Sequence, residues 1–178
     1  GQKHKVEYHL DLVRYLGGRT DSIRWGLCLT ETEKEDAARL LRESGVSEPY
    51  LCVHSGGRLP LKRWPSDRWA HLCDRMIDRF QLPLLLLSAG PEIGLVGEIT
   101  GLMQNRPIIL AGKTTIRQLS SVIAQASLLV CNDSAPMHIA AAMGTPTVAI
   151  FGPSKSIETG PYGKNHVIVE KEFACRPT

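Results

Sequence analysis

Residues 127–152 read SLLVCNDSAPMHIAAAMGTPTVAIFG. A short, continuous apolar run ends at Asn132 and Asp133, as a buried strand of a parallel sheet does. Ala135–Met143 then forms an Ala-rich helix that Gly144 stops, because glycine adopts the left-handed conformation of a helix end without strain. Thr145–Gly152 is apolar again and runs into Pro153. Strand, helix and strand follow one another within a few turns of chain.

Working back from this unit, the same alternation repeats as far as residue 50. YLCVHSGG (50–57) is a strand that opens into a glycine turn. SDRWAHLCDRMIDRF (66–80) places Trp69, Leu72, Cys73, Met76, Ile77 and Phe80 three and four residues apart, one face of a helix, with Ser66 as its N-cap. LPLLLLSAG is a buried strand, and Leu95, Val96, Ile99, Leu102 and Met103 share a face of the next helix. RPIILAG is a strand. In TTIRQLSSVIAQA, Leu119, Val122, Ile123 and Ala126 are in helical register behind a capping box of Thr115 and Gln118. The expected fold class is α/β, a Rossmann-like, doubly wound parallel sheet.

Residues 1–50 differ. VEYHLDLVRYLGG and ETEKEDAARLLRESG read as helices, the second opened by Thr30 and Glu33 in capping-box spacing, with a connector between them that has one extended piece. They read as a lead-in packed on the sheet domain. No internal repeat and no low-complexity segment interrupts the chain.

With 178 residues, 43% hydrophobic and 22% charged, the chain fits one globular domain. No run approaches the roughly 20 apolar residues of a membrane span, and no secretory leader is visible. The net charge of +3 is scattered rather than gathered into a basic block, which argues against nucleic acid as a partner. The five cysteines are Cys28, Cys52, Cys73, Cys131 and Cys175, and three of them lie inside apolar patterns. They read as packed, reduced thiols, and no pair has metal-ligand spacing.

Ligands of an open parallel sheet sit at the carboxyl ends of its strands. Four such ends carry chemistry. In HSGGRLPLKRW, Gly56 and Gly57 allow backbone amides to approach a ligand, and Lys62 and Arg63 add charge before a helix. This suits a diphosphate, although a solvated surface loop has the same composition. In SAGPEIG, Glu92 reads either as an acid placed by the helix dipole or as an acceptor of ribose or sugar hydroxyls. Gly112, Lys113 and Thr114 resemble a piece of a phosphate loop without its full pattern, and suit contacts to a base or an outer phosphate. At the fourth end, Asp133 precedes a helix start where the amides of Ser134, Ala135 and Met137 can hold an anion. A plainer reading makes Asp133 or Ser134 an N-cap and His138 a hydrogen-bonded core residue.

The segments KRWPSDRWAHLCDRM and NDSAPMHIAAAMGTPTVAIFGPS, in this order, resemble the donor half of glycosyltransferase family nine, the lipopolysaccharide heptosyltransferases. The second is similar to the family form D-[ST]-G-P-x-H-x-A-A-A-x-G-x-P-x-V-x-[LI]-F-G-P, and departs from it at Ala135, where glycine is usual. The resemblance covers about residues 50–165, and the closing CRPT resembles the start of a C-x-P-C segment.

The resemblance implies a cytoplasmic, two-domain enzyme of the GT-B type, working at the inner face of the bacterial inner membrane. Residues 51–178 would be its nucleotide-sugar donor domain and residues 1–50 a linker. The acceptor domain, with the catalytic base, is expected to be absent from this chain. The implied donor is ADP-heptose, and the implied partner is a lipid-linked saccharide acceptor. No cofactor or metal is expected. Lys62 would contact the diphosphate, Glu92 the ribose or sugar, Asp133 the sugar, and the amides from Ser134 to Met137 the pyrophosphate, with His138 close by. Two other readings share the architecture: a GT-B-type nucleotide-sugar epimerase, and a non-catalytic nucleotide-binding or interaction module.

Overall fold

The computed structural model describes residues 2–21, 23 and 25–171, so the CRPT segment lies outside the described residues. Six parallel strands are β1 (Leu51–His54), β2 (Leu84–Leu87), β3 (Ile108–Ile109), β4 (Leu128–Asn132), β5 (Thr147–Phe151) and β6 (His166–Glu170). They lie in the order β3-β2-β1-β4-β5-β6. This is the doubly wound order, with the chain winding outward in both directions from the β1–β4 pair. The edge strand β6 is one that the sequence pattern does not announce. Val167 and Val169 are exposed on it.

Successive side chains of a strand point to opposite faces, and the two halves of the core follow that alternation. Leu51 and Val53 of β1 pack on one face with Leu84, Leu86 and Val130. They meet Trp69, Ala70, Cys73 and Met76 of α3 (Ser66–Phe80) and Val96 and Ile99 of α4 (Ile93–Leu102). Cys52 faces the other way, with Leu85, Leu87, Leu129 and Cys131, under α5 (Ile116–Gln125) and α6 (Ala135–Met143). The thiols of Cys52, Cys73 and Cys131 are unpaired and buried, and burial pushes all three upward in pKa.

Helices α1 (Lys5–Tyr15) and α2 (Glu31–Glu43) precede the sheet, and the connector between them pairs no strand among the described residues. Ala37 and Leu41 of α2 enter the core beside α5. The Thr30–Glu33 capping box forms, and Arg117 Nε of α5 donates to Glu33 Oε1 at 2.6 Å. That guanidinium, with the backbone at Thr30, holds the Glu33 carboxyl down to about 2.

The helix periodicities locate the buried faces but overreach at their ends. Phe80 and Leu102, each the last residue of its helix, are half exposed. Ser66 is the first helical residue behind Pro65 and makes no side-chain cap. The Thr115–Gln118 box forms as expected.

Helix α4 also carries glycines on its open side. A Cβ built at Gly97 would meet nothing within 4 Å. The glycine there costs backbone entropy without serving a close approach. Gly97→Ala is therefore expected to stabilise the protein by about 0.5–1 kcal/mol. Thermal denaturation should show a midpoint higher by roughly 1–4 °C for a chain of this size.

Candidate functional site

The register sets His54 beside Leu87 on one side and Cys131 on the other, so β1, β2 and β4 end at one level. Above these ends lies an open cavity of about 720 Å³. One wall is polar: His54, Gly57, Lys62, Arg63, Ser88, Glu92 and Asp133. The lining also includes Thr114, Thr115, Ile116 and Leu119 at the start of α5, and Pro136 and Ile139 of α6, its more apolar part. A cavity of this size has room for a small organic ligand with one charged and one flat apolar part.

Lys62 leaves a short 3-10 turn (Pro60–Lys62), and its Nζ donates to Asp133 Oδ2 at 2.6 Å. The Asp133 side chain is 6% exposed and that of Lys62 28%. Directly after Asp133, α6 begins. The amides of Ser134 and Ala135 take no backbone acceptor, as expected of a helix start, and Pro136 has none to give. A cation and two unpaired amides thus face one cavity at the positive end of a helix, where an anion is favoured.

The second charged group is Glu92, whose carboxylate is ringed by donors. Oε1 accepts from the Gly57 amide at 2.6 Å. Oε2 accepts from the Ser88 hydroxyl at 3.0 Å and from the Ala89 amide at 3.3 Å. Arg63 Nη2 lies 3.9 Å from Oε1, and His54 Nε2 lies 4.0 Å from Oε2. Burial favours the neutral acid, but the Gly57 amide, Ser88, the His54 charge and the Ala89 amide outweigh it and hold the carboxyl below its ordinary value. Burial also pushes His54 below its ordinary value against the pull of Glu92. Glu92 is an ionised latch between the loops after β1 and β2.

The structure brings together most, but not all, of the residues that the sequence singles out. Gly57, Lys62, Glu92, Thr114, Asp133, Ser134 and Ala135 line the cavity. Gly56 does not, and its lack of a side chain makes room for the Glu92 carboxylate. The Gly57 amide is already taken by Glu92, so it is not open to a ligand. Lys113 is exposed in a turn outside the cavity. Met137 is a correction: its amide donates to the Ser134 carbonyl at 3.1 Å and its side chain is fully buried in the core. His138 is another correction: it is exposed rather than in the core, because Met137 and Ala140–Ala141 take the inward positions. Partial burial pushes it below its ordinary value, and it lies near enough to feel the charges of Asp133 and Lys62. Ser134 is the N-cap residue, but its hydroxyl donates backward to the Asn132 carbonyl at 3.2 Å and does not cap the helix.

Sequence reasoning missed His54 and Ser88, and read Arg63 only as a charge beside Lys62. The positional signal for the first two is that His54 ends β1 and Ser88 directly follows β2, next to the β1–β4 switch point. Among the described residues, no three His, Cys, Asp or Glu side chains converge as metal ligands. No helix among them is long and apolar enough to cross a membrane.

Comparison with known proteins places this arrangement. The chain is 30% identical over 164 residues to lipopolysaccharide heptosyltransferase 3 of Escherichia coli K12, covering 91% of this chain and 48% of that protein. The crystal structure of a family 9 glycosyl transferase from Veillonella parvula superposes with a TM-score of 0.88 at 25% identity, over 98% of this chain and 51% of its own. The E. coli ADP-heptose lps heptosyltransferase II gives 0.74 at 28% identity, over 85% and 47%. The chain spans about half the length of the relatives it matches. The profile of Glycosyltransferase family 9 (heptosyltransferase) matches residues 1–178, and with the strand order and the Asp133–Pro153 segment it makes this chain a member of that family.

Proposed function

We propose that the cavity binds the nucleoside diphosphate of a nucleotide sugar, ADP-heptose, as the donor site of a GT-B heptosyltransferase acting on the inner core of lipopolysaccharide. The observation that carries this reading is the Lys62 ammonium set beside the two unpaired amides of α6, over the same cavity. Residues 51–178 would hold the donor, and residues 1–50 would serve as the lead-in to it. The relatives' names support the heptose and, in one case, the adenine nucleotide.

In this reading the acceptor hydroxyl oxygen bonds to the anomeric carbon as the bond from that carbon to the diphosphate breaks, with inversion. Negative charge then grows on the leaving nucleoside diphosphate. Lys62, shared between Asp133 and the diphosphate, and the Ser134 and Ala135 amides offset that charge, the usual electrostatic aid to such a departure. Asp133 and Glu92 face the sugar and ribose hydroxyls as acceptors, and the apolar wall of Ile116, Leu119 and Ile139 takes the base. The acceptor, and the base that removes its proton, would come from another domain of the enzyme, which would work at the inner face of the inner membrane.

Calorimetric titration with ADP, UDP and GDP tests the reading. ADP is expected to bind best, at about 0.1–1 mM for an isolated donor half, equivalent to roughly −4 to −5.5 kcal/mol. A preference for UDP would assign a different donor. No binding of any of the three, also in the presence of the acceptor-binding partner domain, would overturn it.

A further inference from the structure

The segment between β1 and α3, residues 55–65, carries Gly57, Lys62 and Arg63, yet it contains only the 3-10 turn at Pro60–Lys62. Such a loop needs outside support to present a lysine at a fixed point. The support comes from the last residue of β4. Asn132 is fully buried, and its Nδ2 donates to the Ser55 carbonyl at 2.6 Å and to the Gly56 carbonyl at 3.2 Å. Its Oδ1 accepts from the Trp64 amide at 3.1 Å. One carboxamide therefore holds both the entry and the exit of the loop, and the residues between bulge toward the cavity. The next residue along the chain, Asp133, receives Lys62.

We infer that Asn132 is the positioning residue of this loop: its carboxamide ties Ser55–Gly56 to Trp64 and so fixes where Lys62 presents its charge. The inference deepens the donor-site reading and rests on it for its consequence, but its geometry does not depend on any ligand. The chemistry is specific to asparagine. Aspartate has no N–H for the two carbonyls and would face them with a negative oxygen, and serine is too short to span both ends of the loop.

Lysine labelling without ligand decides the matter. Reductive methylation of the folded protein, read residue by residue by mass spectrometry, should find Lys62 several-fold slower than the exposed Lys113. In Asn132→Ala, Lys62 should speed up several-fold while Lys34 and Lys113 keep their rates. If that variant does not fold, Asn132→Ser serves, with the same expected change, because it keeps a small neutral polar group at the strand end without spanning both ends of the loop. An unchanged Lys62 rate, or a rise shared by all lysines, would overturn the inference and leave Asn132 a general packing residue. Titration of the same samples with ADP supplies the functional arm. If ADP binds, Asn132→Ala should weaken it about tenfold, and adding Lys62→Ala should cost much less than it does alone. Full additivity would show that Asn132 does not act through Lys62. If the wild-type protein binds no ADP, also with the acceptor-binding partner domain present, the donor reading fails, and the labelling pattern still decides the role of Asn132.

Discussion

Replacing Lys62 by alanine is expected to weaken ADP binding by roughly ten- to a hundredfold, the worth of a hydrogen bond to a charged group at about 1.5–3 kcal/mol. Two effects set the size of the loss. In the free protein Lys62 is already engaged by Asp133, so an incoming diphosphate gains only the difference between sharing the ammonium and leaving it there. That argues for the lower figure. In Lys62→Ala, however, the Asp133 carboxylate stays beside the site with its cation gone, and it repels the diphosphate directly. This second effect dominates, because the Asp133 side chain is nearly buried and its field is poorly screened. The consequence can be checked by a double variant: Lys62→Ala combined with Asp133→Asn should recover part of the lost affinity. The ion pair also ties the β1 loop to β4. Lys62 is more than a quarter exposed, but the nearly buried Asp133 loses its cation, so the substitution should cost about 1–3 kcal/mol of stability, with the fold checked by circular dichroism. An unchanged ADP affinity in a folded Lys62→Ala protein would place the anion elsewhere, with Arg63 the next cation along the polar wall.

How much of this site could be read before the structure depends on the kind of signal. Asp133, Ser134 and Ala135 were legible because a strand, a helix and their junction are encoded locally, by an apolar run followed by a helical pattern. Lys62 was legible as a charge between a glycine turn and a helix, but its partner Asp133 lies 71 residues on and no local pattern links them. The state of the amides was the least legible. At a helix start every early N–H is formally free, and only the coordinates show that Met137 turns back to Ser134 while the amides before it stay open. His138 has the same origin. Apart from His138 itself, this nine-residue helix holds only small or apolar residues and has no strong periodic face, so its inward side cannot be read from the sequence. The strand β6 was missed because it pairs only at one edge and its alternation is weak, whereas the central strands are continuous apolar runs.

Glu92 lines the cavity, and the contacts that hold it there were not legible in the sequence; they lead to the other large effect. Gly56→Ala is expected to destabilise the protein by about 2–4 kcal/mol and to abolish measurable ADP binding, whereas Gly57→Ala should change stability by less than about 0.5 kcal/mol. The two glycines are adjacent and would be treated alike in any reading of the turn. A Cβ at Gly56 would overlap both oxygens of the Glu92 carboxylate, while one at Gly57 would meet only Arg63 Cγ, at 3.9 Å. A carboxylate at the end of a flexible side chain can move away from a methyl group. Here moving it gives up the Gly57 amide, the Ser88 hydroxyl and the Ala89 amide together, and leaves those donors facing a partly closed site. The latch between the β1 and β2 loops then opens on the side of the cavity where the ribose would lie. If the carboxylate is the whole cause, Gly56→Ala should cost little once Glu92 has already been replaced by alanine. Urea denaturation of the four proteins of that cycle gives the answer. A coupling of about 2 kcal/mol or more between the two positions would establish the latch. Additive losses would mean that Gly56 is required for its backbone rather than for the acid beside it.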